Sequence, residues 1–252
     1  MLIWQFEKVF FCVIFQLQLM KNSKDIEYEV KFKQKLKRNP HKGIYVAFEG
    51  IDGAGKSVQM DRLEAYLLEK GKNPLIAYQP RREGPVGSLI NQILQGIVKV
   101  PPASLQYLFT ADRIIDHQDR IEPALKEGKI VISHRCMWSN LPYGMIDAQV
   151  SDFDSDESRV VDVAHGLMSL YHQFIIPDIT FYLKVSADTA IKRLQEKNQH
   201  LEFYEKKSKL EKVAKGYEWQ INKFPEEFVV IDGEKSPAEI HEEVIKYLEK
   251  EI

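Results

Sequence analysis

The sequence predicts an α/β fold of three layers, in which a mostly parallel, five-stranded sheet carries helices on both faces. Two observations indicate this class. Short apolar runs alternate along the chain with longer stretches whose apolar residues recur at helical spacing. The first apolar run leads into a glycine-rich segment and then into a helical pattern, which is the order of strand, turn and helix. The 252 residues and 44% hydrophobic content suit one such domain with an extension.

The predicted elements follow one another from Gly43 onwards. The strands are predicted at Ile44–Glu49, Pro74–Tyr78, Lys129–Ser133, Ile179–Val185 and Phe228–Ile231. The helices are predicted at Lys56–Lys70, Val86–Val98, Ser104–Glu127, Ser158–Phe174, Ala187–Glu196, Glu205–Asn222 and Pro237–Lys250. In such sheets ligands bind beyond the carboxyl ends of the strands, so we expect the functional residues in the loops that follow them.

The predicted domain spans residues 43–252, and residues 1–42 form an N-terminal extension. Residues 1–20 are apolar, but their longest uninterrupted run, Val9–Phe15, is far shorter than the ~20 residues of a membrane span. We therefore expect no membrane span. Three interpretations stay open: a membrane-associating segment, an extra packing element, or sequence upstream of a start at Met20, which we favour.

Residues 21–42 are rich in lysine. Within them Ile26, Tyr28, Val30 and Phe32 alternate with charged residues, which is the period of a β-strand. The segment is either an added edge strand or a solvated basic arm.

Charge and cysteine content narrow the class of protein. The net charge of −2 argues against a general nucleic-acid binder. Cys12 and Cys136 lie far apart and indicate no disulfide framework, which fits a reducing compartment and predicts a cytoplasmic protein.

A phosphate-binding loop follows the first predicted strand. Residues 50–57 read GIDGAGKS and fit the pattern G-x-x-x-x-G-K-[ST]. Glycines let backbone N–H groups approach phosphate oxygens, and the following helix points its positive end at them. We expect Lys56 to reach the β- and γ-phosphates of ATP and the Ser57 hydroxyl to bind Mg²⁺. The predicted ATP-binding residues here are Gly50, Ile51, Asp52, Gly53, Ala54, Gly55, Lys56, Ser57 and Val58. The alternative is a glycine-rich turn with a surface lysine.

Four stretches resemble the thymidylate kinase family, in its order and spacing. They are Phe48–Gln59, Leu108–Arg113, Val131–Tyr143 and Pro177–Leu183, and the resemblance covers about residues 43–250. It implies a P-loop NTPase-type fold and transfer of the ATP γ-phosphate to dTMP, giving dTDP and ADP, with Mg²⁺. It also implies a homodimer.

The resemblance assigns residues to the acceptor nucleotide. Asp52 would accept from the sugar 3′-hydroxyl, and Phe109 and Arg113, which are four apart on one helix, would bind thymine. Arg82, or Arg81 in its place, would grip the monophosphate in a bidentate fork.

Three further assignments follow from the same resemblance. Arg135 would hold the acceptor phosphate, and Tyr143 would pack against the deoxyribose and select against a ribose. Arg193 would lie over adenine, with residues 232–237 as the other wall of that pocket.

The sequence departs from the family pattern at two places. His134-Arg135-Cys136 stands where the family has Asp-Arg-Tyr/His, so we expect Glu49 to hold the water shell of Mg²⁺ instead. A catalytic arginine is absent from the phosphate loop and from the expected lid, Glu196–Lys209. The lid lysines Lys197, Lys206 and Lys207 would then supply the charge, or the enzyme would be slow.

Two rival functions stay open. One is a kinase for another deoxynucleotide or a deoxynucleoside. The other is a non-catalytic nucleotide-binding protein that has lost turnover.

Overall fold

The structure is a computed structural model that describes residues 35–150, 157–196 and 203–250. The apolar segment 1–20, and with it the alternation over residues 26–32, lies outside the described residues. So does Lys197 of the predicted lid.

A five-stranded sheet forms the centre of the fold, and every strand pair in it is parallel. The strands are β1 (Ile44–Glu49), β2 (Leu75–Tyr78), β3 (Ile130–His134), β4 (Ile179–Lys184) and β5 (Val229–Asp232). Their spatial order is β2-β3-β1-β4-β5, so β1 lies in the middle. The predicted sheet is confirmed, and the phosphate loop leaves its central strand.

Helices surround the sheet. They are α1 (Lys56–Glu69), α2 (Gly84–Leu94), α3 (Pro102–Asp116), α4 (Glu122–Lys126), α5 (Asn140–Asp147), α6 (Glu157–Met168), α7 (Ala187–Glu196), α8 (Phe203–Lys223) and α9 (Pro237–Leu248). The helix predicted at Ser104–Glu127 is interrupted by a π-helical turn at His117–Ile121, which separates α3 from α4.

The prediction missed α5, which follows a 3₁₀ turn at Met137–Ser139. Pro142 and Gly144 make its sequence a poor helix former in isolation. Proline is tolerated in a first helical turn, because the N–H groups there have no partner within the helix. Five of the helix's residues are buried, so tertiary packing stabilises a helix that propensity does not predict.

Strand register brings the carboxyl ends of the central strands to one edge. Phe48 of β1 pairs with His134 of β3 and with Phe181 of β4. Residues 49–57 and 135–143 therefore leave the sheet side by side, which is where the resemblance places the site.

An aromatic cluster around Trp138 fixes the segment after β3. Its ring is fully buried and lies 5.7 Å from that of Tyr171, 5.4 Å from Phe224 and 5.3 Å from Phe228. This packing anchors the chain between Arg135 and Tyr143.

Residues 37–39 of the predicted basic arm contact the folded body. Lys37 forms a parallel bridge with Ile175, and Arg38 pairs with Glu227 through contacts of 2.5 and 2.8 Å. The Asn39 amide donates to Asp178 at 2.8 Å. Among the described residues, no helix has both the length and the apolar composition required to cross a bilayer.

Candidate active site

The phosphate loop is tightly packed at Gly53. This residue has φ +85°, and a Cβ added to it would lie 2.4 Å from the carbonyl oxygen of Ala190 in α7. Only glycine fits there without moving backbone. The loop is therefore held against α7 in a fixed shape.

Lys56 lies inside this loop. Its side chain is 4% exposed, and Nζ donates to the carbonyl oxygens of Gly50 at 3.0 Å and Ile51 at 2.8 Å. Burial, together with the positive charge of Arg135, lowers the pKa of Lys56 to about 7, although Asp52 and Glu49 oppose this. A phosphate bound in the loop would favour the protonated lysine and raise that pKa.

Arg193 connects the phosphate loop to the loop after β5. Its Nη2 donates to the carbonyl of Gly233 at 2.9 Å, and Nη1 lies 3.5 Å from that of Ala54. The two predicted walls of the adenine pocket are thus adjacent.

A cavity of about 510 Å³ opens beside the phosphate loop. Its lining includes five of the predicted acceptor residues, namely Asp52, Phe109, Arg113, Arg135 and Tyr143. Residues from the phosphate loop, α3, the β3–α5 segment and α5 itself therefore meet around one space.

Arg113 and Phe109, both on α3, are part of the lining of this cavity. The guanidinium carbon of Arg113 lies 5.9 Å from the Phe109 ring centroid. Arg113 is 2% exposed, and its Nε donates to Gln79 Oε1 at 2.8 Å while Nη1 donates to Asn140 Oδ1. A flat base between this ring and these polar groups would have both a stacking surface and hydrogen-bond donors.

Arg135 also lines this cavity and contacts the phosphate loop through Asp52. Its Nη2 donates to Asp52 Oδ1 at 2.6 Å and to the Tyr143 hydroxyl at 2.8 Å. Its guanidinium carbon lies 4.9 Å from the Tyr143 ring centroid. Arg135 has φ +70°, so the chain turns sharply at the end of β3 and directs this side chain back towards Asp52.

Glu49 lies behind Arg135 and is fully buried. Its Oε1 accepts from the Cys136 N–H at 2.8 Å, and its Oε2 accepts from Ser139 Oγ at 2.7 Å and from the Tyr217 hydroxyl at 2.6 Å. Burial and the Glu49 charge raise the pKa of Tyr217, so this phenol keeps its proton. The expected role of Glu49 in holding the water shell of Mg²⁺ stays a prediction. In that role the Glu49 carboxylate oxygens would accept from Mg²⁺-bound water as well as from these protein donors.

His134 occupies the end of β3, where the family pattern has an aspartate. Its ring lies 5.7 Å from that of Tyr78. Burial and the charges of Lys56 and Arg135 lower the pKa of His134 to about 3, so it is neutral near pH 7. It adds no negative charge beside Lys56.

The two arginines after β2 have different surroundings. Arg81 Nε donates to Asp112 Oδ1 at 2.9 Å, and its backbone N–H donates to Oδ2 of the same buried carboxylate at 2.8 Å. The Arg82 guanidinium carbon lies 5.5 Å from the exposed Tyr78 ring. The phosphate role of Arg82 stays a prediction.

The predicted lid lysines are partly described. Lys207 pairs with Asp188 at 2.5 Å. Lys206 belongs to α8, and Lys209 of the same helix lines the cavity.

Sequence analysis missed four site residues: Gln79, Ser139, Asn140 and Tyr217. Ser139 and Asn140 lie within the stretch that carries the family resemblance. Tyr217 follows Leu210 and Val213 at helical spacing, which indicates a core residue. Nothing in that pattern predicts a buried hydroxyl on a carboxylate.

A glycine-rich loop between a strand and a helix, bordering an arginine-lined cavity, defines the class as that of the P-loop proteins. A sequence profile described as thymidylate kinase matches residues 48–244. The chain belongs to the thymidylate kinase family.

Individual relatives agree with this profile. A protein named thymidylate kinase from Fervidobacterium nodosum is 34% identical over 216 residues, covering 81% of this chain and 97% of its own. One of the same name from Thermoanaerobacter sp. (strain X514) is 30% identical over 210 residues, covering 83% and 98%. A probable thymidylate kinase from Methanocaldococcus jannaschii is 33% identical over 206 residues, covering 81% and 95%.

Proposed function

We propose that this protein is an ATP-dependent kinase that phosphorylates dTMP to dTDP. The observation that carries the proposal is that one cavity bordering the phosphate loop is lined both by Arg113, beside the Phe109 ring, and by Arg135, beside Asp52. The first pair suits a base, and Arg135 suits a phosphate close to the γ-phosphate of ATP. Family membership supports the same acceptor.

Catalysis would rest on positioning and electrostatic stabilisation. Lys56 and the loop N–H groups would hold the ATP phosphates, and Arg193 would lie against adenine. Arg135 would hold the dTMP phosphate, whose oxygen attacks the γ-phosphorus while the bond to the β–γ bridging oxygen breaks and ADP leaves.

The remaining acceptor residues would fix the nucleoside. Asp52 would accept from the 3′-hydroxyl, and Tyr143 would limit space at the sugar 2′ position. Phe109 and Arg113 would bind thymine. Arg82 would reach the monophosphate from the loop after β2.

Mg²⁺ fits the oxygen chemistry of this site. Ser57 presents an exposed hydroxyl in the first turn of α1. No group of three or more His, Cys, Asp or Glu side chains in the described residues could hold a metal ion. Such a group is not required, because Mg²⁺ is commonly bound through one or two protein groups, substrate phosphates and water. When bound, it would neutralise phosphate charge.

The proposed water-shell role of Glu49 has its own test. Glu49→Gln should weaken Mg²⁺ binding and so raise the Mg²⁺ concentration that gives half the maximal rate. Unchanged activity and unchanged Mg²⁺ dependence would reject the role.

The test of the proposed function is ADP release by the purified protein with ATP, Mg²⁺ and one acceptor at a time. The acceptors are dTMP, dUMP, dCMP, dGMP, UMP and thymidine. We expect turnover with a preference for dTMP, abolished by Lys56→Ala and retained by Lys70→Ala, the residue directly after α1.

Other outcomes would support the two alternative functions. Preference for another acceptor would keep the phosphate chemistry and overturn the thymine assignment. ATP binding without turnover on any acceptor would favour a non-catalytic nucleotide-binding protein.

Assembly and location complete the proposal. We propose a cytoplasmic homodimer without nucleic-acid partners, as family membership suggests. Sedimentation at micromolar concentration tests the dimer, and fractionation of the native cells tests the location.

A further inference from the structure

Two hydroxyl groups separate the buried Glu49 carboxylate from the Arg135 guanidinium. Glu49 Oε2 and Arg135 Nη1 are 3.8 Å apart, which is longer than a direct hydrogen bond. Tyr217 donates to Glu49 Oε2 at 2.6 Å and accepts from Arg135 Nη1 at 3.2 Å. Ser139 Oγ makes the same pair of contacts, at 2.7 and 3.1 Å.

This arrangement bears on whether the Arg135 guanidinium faces Glu49 or the cavity. A guanidinium and a buried carboxylate attract each other strongly, and a bidentate pair is their preferred geometry. Each hydroxyl offers its proton to Glu49 and its lone pair to Arg135, so both partners are satisfied without direct contact. The other guanidinium nitrogen, Nη2, is left on the cavity side, with Asp52 and Tyr143.

The Tyr217 hydroxyl is held in place by packing. Its ring lies 5.0 Å from that of Tyr182, and Tyr182 pairs in register with Glu49 across β1 and β4. Tyr217 is fully buried on α8, whose amino-terminal part also supplies Lys209 to the cavity lining. The Tyr217 hydroxyl therefore links α8 to Glu49.

We propose that Tyr217 is a positioning residue that keeps Glu49 from capturing Arg135, so that Arg135 faces the acceptor phosphate. The inference rests on the proposed function, because it needs a phosphorylated acceptor in the cavity. Without the hydroxyl, Arg135 moves towards Glu49 and away from the ligand.

The test compares the binding of dTMP and of thymidine by calorimetry, without ATP and Mg²⁺. Tyr217→Phe should raise the Kd for dTMP by about tenfold, since Arg135 then faces Glu49 and its hydrogen bond to the charged phosphate is lost. The Kd for thymidine should not change, because thymidine lacks the phosphate that Arg135 holds. Tyr182→Phe is the matched control within the same ring pair and should bind both ligands as the wild type does.

A double variant separates positioning from packing. Adding Glu49→Gln to Tyr217→Phe should restore most of the dTMP affinity, because a neutral amide does not attract the guanidinium. Ser139→Ala, a small change outside the aromatic pair, should repeat the selective loss of dTMP affinity and serves if Tyr217→Phe does not fold.

Three results would overturn the inference. They are an unchanged dTMP affinity in both hydroxyl variants, an equal loss for dTMP and thymidine, and no recovery in the double variant. A wild-type protein that binds thymidine as tightly as dTMP would instead overturn the proposed function, and the inference with it.

Discussion

Arg113 Nε donates a 2.8 Å hydrogen bond to Gln79 Oε1, which connects the proposed base site on α3 to the loop after β2. Gln79 is 2% exposed, and its own N–H donates to the carbonyl of His134 at 3.1 Å. Gln79, whose backbone N–H is anchored to β3, thus uses its side-chain oxygen to set the direction of a guanidinium on a helix.

Replacing Gln79 should therefore change base recognition. Gln79→Leu leaves the buried Nε of Arg113 without its acceptor, and we expect the KM for dTMP to rise about 10- to 100-fold. The KM for ATP should stay constant, because Gln79 lies in the lining of the acceptor cavity and is not part of the phosphate loop. Steady-state kinetics with each substrate varied in turn measures both, and a rise in both constants would contradict a role confined to the base.

Gly53→Ala should damage the phosphate loop. The new Cβ would meet the backbone oxygen of Ala190, which cannot move as a side chain can. We expect a loss of about 1–3 kcal/mol in the free energy of unfolding and a large loss of ATP affinity.

The control for this variant is Gly71→Ala. Gly71 also has positive φ, at +71°, but an added Cβ there has nothing within 4 Å. Gly71→Ala should cost about 1–2 kcal/mol through backbone strain alone and should leave ATP binding intact. Denaturant unfolding and ATP titration of both variants measure the difference, and equal ATP affinity in the two would contradict a steric role for Gly53.

His117 should make the fold sensitive to acid. It is 5% exposed, with rings of Tyr45 and Phe174 at 5.7 and 5.3 Å, and burial together with Arg113 lowers the pKa of His117 to about 4. The unfolded chain binds this proton below about pH 6.5, and the folded chain does so only below about pH 4. The contribution of His117 to stability is thus complete above pH 6.5 and is lost as the pH falls towards 4, by about 3 kcal/mol.

His117→Gln should flatten this part of the stability curve. Chemical unfolding at several pH values between 4 and 7 measures it, with the exposed His172→Gln as the control. An unchanged slope in His117→Gln would show that other groups cause the acid sensitivity.

The lid lysines should supply the positive charge that a catalytic arginine supplies in the family pattern. Alanine at Lys197, Lys206 and Lys207 together should lower kcat by about 10²-fold, since these residues would stabilise charge in the transition state. Lys212→Ala with Lys215→Ala, both exposed further along α8, is the matched control. An unchanged kcat in the triple variant would exclude the lysines as the catalytic cations.

The candidate site residues that could be predicted from the sequence are those whose spacing lies within one motif. Phe109 and Arg113 share a face of α3 because they are four residues apart, and the structure brings them to the same cavity. The phosphate loop could be predicted from its own sequence pattern and from the apolar runs that flank it.

Contacts between distant segments were not predictable in this way. The Gln79–Arg113 bond joins residues 34 positions apart, and the Tyr217–Glu49 bond joins residues 168 apart. A glutamine after a strand and a tyrosine on an amphipathic helix have no local sequence pattern from which their hydrogen-bond partners could be predicted. Helix α5 could not be predicted for a related reason, because burial of its residues outweighs the low helix propensity of Pro142 and Gly144.

The left-handed backbone at Arg135 has a consequence for selection at this position. An L-residue in that conformation costs about 1–2 kcal/mol relative to the right-handed one, and glycine would adopt it without that cost. Glycine at position 135 would relieve this strain, but it would also leave the buried Glu49 carboxylate without its nearby cation and remove the contacts with Asp52 and Tyr143. Losing one partner of a buried charge pair costs about 3–5 kcal/mol, more than the backbone strain. Selection for stability alone would therefore keep arginine here, even in a variant that no longer needs to bind a phosphate.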